Sequence, residues 1–417
     1  MKTIARFILA VCLAAGSAQA AEEKPPVVLV HGFLGFDNET LGGMFRYWGG
    51  FNDIAKRIET GTGRKVFTAG VGPVSSNWDR AIELYYQIKG GCADYGAEHV
   101  ARNTVAAEQA KPAGKCWQGL YPQWDARHPI HLIGHSQGGQ TIRTLIQLLE
   151  KPGATDPKCV DQGDLLKGGK CGWVISATTI ATPHNGTTLR DIVVKTLPDA
   201  SDLAGLAVQI IGAGGSNSDG FKFRLEQFGM AAGPAESIGE FFKRTKNHPF
   251  WKLENHDSAQ WELSPDGARE LNGWVKTSPN VYYFSIAAQA TVPFKLFGNE
   301  YQRPLLSMNL LLQNTAGVWV GPFYHQRGMG SFQQTEANRV PTNEHWFAND
   351  GVVNTISMDG PEGSTIQPLG NQPVKGVWNS LGVKQGFDHF DVIGWKTDST
   401  GAMEMYDKLM AILSKLD

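Results

Sequence analysis

Short, nearly continuous apolar runs punctuate this chain: Val27 to Val30, Val66 to Ala69, Ile130 to Ile133, Trp173 to Ile180 and Val281 to Ile286. Runs that do not alternate with polar residues are what strands buried on both faces look like. Helical patterns lie between them. The clearest has Ile142, Leu145, Ile146 and Leu149 at i, i+3, i+4 and i+7, giving one apolar helix face. Strands alternating with helices predict an α/β fold on a mostly parallel central sheet. From about residue 190 to 340 the rhythm breaks. That stretch shows one clear strand and many Gly, Pro and aromatic residues, and it reads as a cap inserted over the sheet. Within it, Leu203, Leu206 and Ile210 share a helical face ahead of Gly212 and Gly214-Gly215. Such a helix is either a mobile lid or simply packed.

The N-terminus departs from this pattern. Lys2 and Arg6 flank an apolar stretch from Phe7 to Ala15, and Ala18-Gln19-Ala20 is a small-residue cleavage site. Residues 1–20 are expected to be a signal peptide, with 21–417 as one exported domain. No apolar run is long enough to span a bilayer. A net charge of −2 gives nothing that steers the chain to nucleic acid or anionic membranes. Once Cys12 leaves with the signal, Cys92, Cys116, Cys159 and Cys171 remain, and an exported chain would pair them. Three connectivities exist. The local pairs Cys92–Cys116 and Cys159–Cys171 are favoured, because each brackets a loop containing Gly and Lys.

Chemistry concentrates at Gly134-His135-Ser136-Gln137-Gly138, between the third apolar run and the amphipathic helix. Strand, tight turn and helix around Gly-x-Ser-x-Gly form a nucleophile elbow. Glycines two residues either side of Ser136 let the backbone cross where a side chain would collide. A serine hydroxyl needs a base, and the base needs an orienting acid. In α/β-hydrolases these follow in the order serine, acid, histidine. Of eleven histidines, His325, His345 and His389 lie far enough along, and His389 sits on a glycine-flexed loop. Asp350, in a turn beside Gly351, is the leading acid, with Asp359 and Asp388 as competitors. An acid adjacent to the histidine in sequence usually points away from it, which counts against Asp388. The oxyanion needs two backbone donors. Gln137 N–H follows the nucleophile, and Phe33 N–H follows the first strand in His31-Gly32-Phe33. His31, His131 and His184 read as hydrogen-bonded supports.

Longer strings carry a resemblance. They include His31-Gly32-Phe33, Tyr47-Trp48-Gly49-Gly50, Val71 through Arg80, Asp94-Tyr95-Gly96-Ala97, and His135 through Thr141. Thr178 through His184, Asn349-Asp350-Gly351 and Asp388-His389 extend them to the C-terminal part of the chain. Together they resemble the thermostable Bacillus/Geobacillus lipases and their staphylococcal relatives, which are α/β-hydrolase triacylglycerol lipases. The resemblance implies Ser136 as nucleophile, Asp350 as acid, His389 as base, and Phe33 and Gln137 as oxyanion donors. It also implies a helical lid that opens at a lipid surface. Gly134 stands where the Bacillus members have alanine.

The resemblance further implies a structural zinc. Asp79, His99 and Asp257 match three of its ligands, while the fourth, a histidine shortly after His99, has no counterpart. Glu108 or His256 would have to fill that place, or a water would. For the family's calcium site Asp391 fits, but a second aspartate is replaced by Lys396, with Asp398 nearby. The expectation is therefore a monomeric, secreted serine ester hydrolase with no organic cofactor, cleaving acylglycerols at an oil–water interface. The alternatives are a polyester depolymerase, a carboxylesterase for soluble esters, or a lipid-binding protein that kept the fold.

Overall fold

The computed structural model describes residues 23–37, 43, 45–103, 105–151, 159–161, 163–196, 221–233, 236–316, 328–396 and 398–417. Eleven strands lie in chain order among them. They are β1 (Val27–Val30), β2 (Val66–Ala69), β3 (Gly91–Cys92), β4 (Cys116–Trp117), β5 (Ile130–His135) and β6 (Val174–Ile180), then β7 (Tyr282–Gln289), β8 (Thr291–Leu296), β9 (Asn299–Pro304), β10 (Ile366–Pro368) and β11 (Trp378–Gln385). Seven of them form one sheet in the order β10-β11-β7-β6-β5-β1-β2. Every neighbouring pair in it is parallel.

The unalternating apolar runs have a direct cause. Val27 and Leu29 of β1 pack into one core, with α1 (Ile54–Thr62) and the last helix, Thr400–Leu413. Val28 and Val30 pack into another, with α2 (Asn77–Lys89) and a helix after β5. Each strand residue thus has a buried side to face, at about 1.5–3 kcal/mol per large apolar side chain removed from water. The short α3 (Ala97–Arg102) precedes β4, and α4 (Gln137–Glu150) is the amphipathic helix expected after the elbow. In α4, Ile142, Leu145, Ile146 and Leu149 are all buried in the second core.

The cap needs correcting in two respects. The strand seen within 190–340 is β7, which lies in the middle of the central sheet between β6 and β11. The region beyond the sheet is therefore two excursions, one either side of β7. The second also contains a two-stranded antiparallel hairpin, β8–β9, which the sequence pattern did not show. Its strands carry Pro293, Lys295, Glu300 and Arg303 on a largely exposed ribbon, so no apolar run marks them. β11 was also missed, because it is only partly buried and includes polar residues and Gly382. The first excursion adds packed aromatics to the core that holds Val27 and Leu29, and there the Phe223 ring lies 5.2 Å from Phe241 and 5.0 Å from Phe242. Leu203, Leu206, Ile210 and the glycines after them lie outside the described residues, as does the expected signal peptide. Among the described residues no helix is long and apolar enough to cross a membrane.

Both disulfides join the expected local pairs, Cys92–Cys116 and Cys159–Cys171. The first staples β3 to β4, its partners facing each other across the hairpin. His131 is the hydrogen-bonded core histidine expected, with Ser176 Oγ at 2.8 Å and Asp417 at 3.2 Å.

Candidate active site and metal centre

The elbow is built by close backbone approach. Ser136 sits at φ 56°, ψ −130°, a conformation that costs a non-glycine residue about 1–3 kcal/mol. Its N–H is held by Ile180 O at 2.9 Å. A Cβ on Gly138 would lie 2.1 Å from Val30 O, and one on Gly134 would lie 2.4 Å from the Gly138 carbonyl carbon. Neither contact can relax without moving backbone, so the motif's glycines are steric requirements. Gly32 belongs to the same set, since its Cβ would lie 2.6 Å from Ser136 Cβ.

Ser136 directly precedes α4, so Gln137 N–H is one of the helix's first N–H groups, which have no intrahelical acceptor. The loop after β1 is pinned at almost every polar atom. Gly32 N–H donates to Tyr47 OH at 2.8 Å, and His31 Nδ1 bonds Gly32 O at 2.8 Å. Leu34 N–H donates to Pro73 O at 2.8 Å and Gly35 N–H to Gly32 O at 3.1 Å. The Phe33 N–H has no acceptor among the described residues. Arg80, fully buried, ties this loop to the elbow helix. It donates to His31 O, to Gly72 O at 2.7 Å and to Thr141 Oγ1 at 2.8 Å. Burial lowers its pKa to about 10, which leaves it cationic. His31 Nε2 accepts from Val71 N–H, and burial followed by the Arg80 charge holds this ring neutral. His31 is thus a support, as expected, and so is His184, bonded to Thr179 Oγ1 at 2.9 Å.

His389 and Asp350 meet. His389 Nδ1 lies 2.7 Å from Asp350 Oδ2, and His389 N–H donates to Asp350 O at 3.0 Å. The other carboxylate oxygen, Oδ1, accepts from Val352 N–H and Val353 N–H at 2.9 and 2.7 Å. Both competing acids are engaged elsewhere. Asp388 caps Asn309 N–H at 2.7 Å, and Asp359 accepts from Ser380 Oγ at 3.1 Å. His345 is exposed on a one-turn helix, and His325 lies outside the described residues.

A second cluster gathers at the start of α2. Asp79, His99, Glu108 and Asp257 each present a ligand atom, all within 4.8 Å of one another. His99 Nε2 is 3.2 Å from Asp257, 3.5 Å from Glu108 and 3.7 Å from Asp79. Glu108, and not His256, stands with the other three side chains. His256 stacks on Trp261 and faces Glu270. Asp79 Oδ1, Asp257 Oδ1 and both Glu108 oxygens are buried with no hydrogen-bond partner among the described residues. Burial, then the neighbouring carboxylates, raises Asp79 far above the usual range, and burial together with Asp257 pushes Glu108 up to about 8. Three carboxylates and an imidazole with orphaned lone pairs fit a divalent cation. At the other metal expectation, Asp391 pairs with Lys396 Nζ at 3.2 Å. An ammonium already stands beside that carboxylate, and Asp391 is not part of the metal-capable group.

A parallel doubly wound sheet, a strained serine between β5 and α4, and an acid and a histidine on late loops are the layout of the α/β-hydrolase fold. Across residues 23–416 the chain matches the family described as "Lipase-like, C-terminal domain", and it belongs to that family. EstA from Clostridium botulinum is similar at 36% identity and a TM-score of 0.80, covering 94% of this chain and 87% of that one. Lipase 1 from Pelosinus fermentans is 37% identical with a TM-score of 0.76, covering 95% of this chain and 100% of that one. A lipase from Staphylococcus epidermidis is 33% identical over 394 residues, 93% of this chain and 52% of that protein. The chain thus spans about half the length of the curated relatives it matches.

Proposed function

We propose that the protein is an exported carboxylic-ester hydrolase acting on acylglycerols. The observations that carry this are a strained Ser136 on the elbow and a buried His389–Asp350 pair, whose imidazole lies 4.5 Å from the ring of His135, the residue before Ser136. Ser136 Oγ attacks the ester carbonyl as His389 takes its proton, and the oxyanion falls to the N–H groups of Phe33 and Gln137. His389 returns the proton to the leaving alcohol, and water then deacylates the enzyme through the same base. Asp350 holds His389 with its proton on Nδ1 and stabilises the imidazolium. The names of two relatives, both lipases, support a lipid-ester substrate. Paired cysteines support export.

Asp79, His99, Glu108 and Asp257 would hold zinc, whose contribution is to tie the first cap excursion to the core. The positions themselves give the reason: Asp79 opens α2, His99 lies in α3, and Asp257 belongs to the first excursion. No catalytic step passes through the metal. The Lys396 ammonium beside Asp391 speaks against calcium there.

The test is hydrolysis of a graded series of acyl chain lengths, with and without an emulsion, by wild type and Ser136→Ala. Activity that rises at the interface and is lost in the variant supports the reading. Equal hydrolysis by the variant overturns the mechanism. Preference for soluble short-chain esters would make the enzyme a carboxylesterase, and lipid binding without hydrolysis would make it a binding protein.

A further inference from the structure

One tyrosine segment touches all three loops of the site. Tyr47 OH accepts the Gly32 N–H at 2.8 Å and lies 2.6 Å from His135 Nδ1. A phenol oxygen can accept twice, but the Tyr47 proton meets no other acceptor among the described residues, so the hydroxyl accepts from Gly32 and donates to His135. Nδ1 is then an acceptor, and the His135 proton is on Nε2. Burial, reinforced by the neighbouring His389, keeps this ring far below the usual histidine range and therefore neutral. Its ring centroid is 4.5 Å from that of His389. The Tyr47 segment is also moored to the chain just after the base: Trp395 Nε1–H donates to Tyr47 O, and Gly49 N–H to Ile393 O, both at 2.8 Å. Tyr47 therefore bonds the oxyanion loop and the elbow through its hydroxyl, and the base loop through its backbone.

We propose that Tyr47 is a positioning residue, setting the Phe33 N–H through Gly32 and the His135 tautomer through the same hydroxyl. The Gly32 N–H fixes the orientation of the residue that carries the Phe33 amide. A loop pinned there by Tyr47 and on the other side by Arg80 does not have to reorganise as the oxyanion forms. A neutral His135 matters because a second charge 4.5 Å from His389 would oppose the imidazolium formed in the transition state. Besides the hydroxyl, the only hydrogen-bonding group that the His135 ring meets among the described residues is the backbone of His389. The tyrosine hydroxyl is thus its one side-chain hydrogen-bond partner among the described residues.

The proposal rests on the Ser136–His389–Asp350 reading, and the experiment separates the two. Wild type, Tyr47→Phe and Tyr47→Ala are assayed on a water-soluble short-chain ester and labelled at serine with a phosphonate ester, whose tetrahedral oxygen occupies the oxyanion site. Losing a donor outright costs about 100- to 1,000-fold in kcat. Loosening one should therefore lower the kcat of Tyr47→Phe by about 10- to 100-fold, with KM within twofold and labelling slowed in proportion. If wild type is labelled at Ser136 and Tyr47→Phe reacts at the wild-type rate, the proposal falls and the catalytic reading stands. If wild type is not labelled, that reading falls first. Should neither variant fold, ¹⁵N-histidine spectra of the wild type decide. The proposal requires a His135 that stays neutral from pH 5 to 9, protonated on Nε2 with a hydrogen-bonded Nδ1, and a titrating ring or the opposite tautomer overturns it.

Discussion

Asp350 spends one carboxylate oxygen on two backbone amides and the other on His389 Nδ1. The geometry of that second bond, and not only the charge, makes Asp350 the orienting acid in our reading. Asp350→Asn should fold, because an amide oxygen can still accept the two backbone bonds. It can also present an N–H to His389 and favour the wrong tautomer. We expect kcat to fall by about 10⁴-fold with little change in melting temperature. A fall shared by KM, or a collapse of the melting transition, would mean that the residue is structural. Glu108 illustrates the limit of reading residues one at a time. The sequence left it level with His256, or a water, for the fourth place. It was decided by which side chain reaches His99, Asp79 and Asp257, and that is a matter of distance.

At the scale of elements, the segment closed by Cys92 and Cys116 is informative, because His99 and Glu108 both lie inside it. Cross-linking a loop of this size removes denatured-chain entropy worth about 3 kcal/mol. It also holds two of the four ligand side chains on one short tether. Replacing both cysteines by serine should therefore lower the melting temperature and weaken zinc binding together, as read by calorimetry with and without metal. Unchanged zinc affinity would show that the staple and the metal centre act independently. The elbow is an element of a different kind, fixed by crowding. Gly138→Ala drives a methyl into Val30 O and should cost several kcal/mol or prevent folding, because neither β1 nor α4 can move. Both features were legible as local patterns, a cysteine pair and a glycine pentapeptide. The β8–β9 hairpin and β11 were not. Partly exposed strands mix polar and apolar residues, and their pairing is set by neighbours distant in sequence.

Across the whole molecule, the buried carboxylates couple stability to pH and to metal. Glu108 is pushed from 4.5 up to about 8 by burial and then by Asp257, and Asp79 rises with it. A carboxyl whose folded pKa is raised holds a proton that the unfolded chain has released. The metal-free protein is therefore most stable below about pH 4.5 as far as these groups are concerned. It loses stability as pH climbs towards 8, by up to about 1.4 kcal/mol per unit per group. A bound cation takes over from those protons and removes the loss. Chelation should thus barely change the melting temperature at pH 5 and lower it clearly at pH 8, with zinc restoring it. A chelator effect that is the same at both values would mean that no cation neutralises this cluster.

The sequence by itself determined the parallel α/β architecture, the nucleophile elbow and the leading candidates for base and acid, and it favoured the local cysteine pairs among three connectivities. Each depends on short-range rules: apolar runs where both strand faces are buried, glycines where backbones cross, and chain order. Tertiary structure alone decided what depends on distances between remote segments. It placed Asp350, and not Asp359 or Asp388, against His389. It chose Glu108 over His256 and set Lys396 beside Asp391. It divided the cap in two around a central strand, and it brought Tyr47 to Gly32 and His135. No local pattern encodes such contacts, because folding brings together groups that are dozens to hundreds of residues apart.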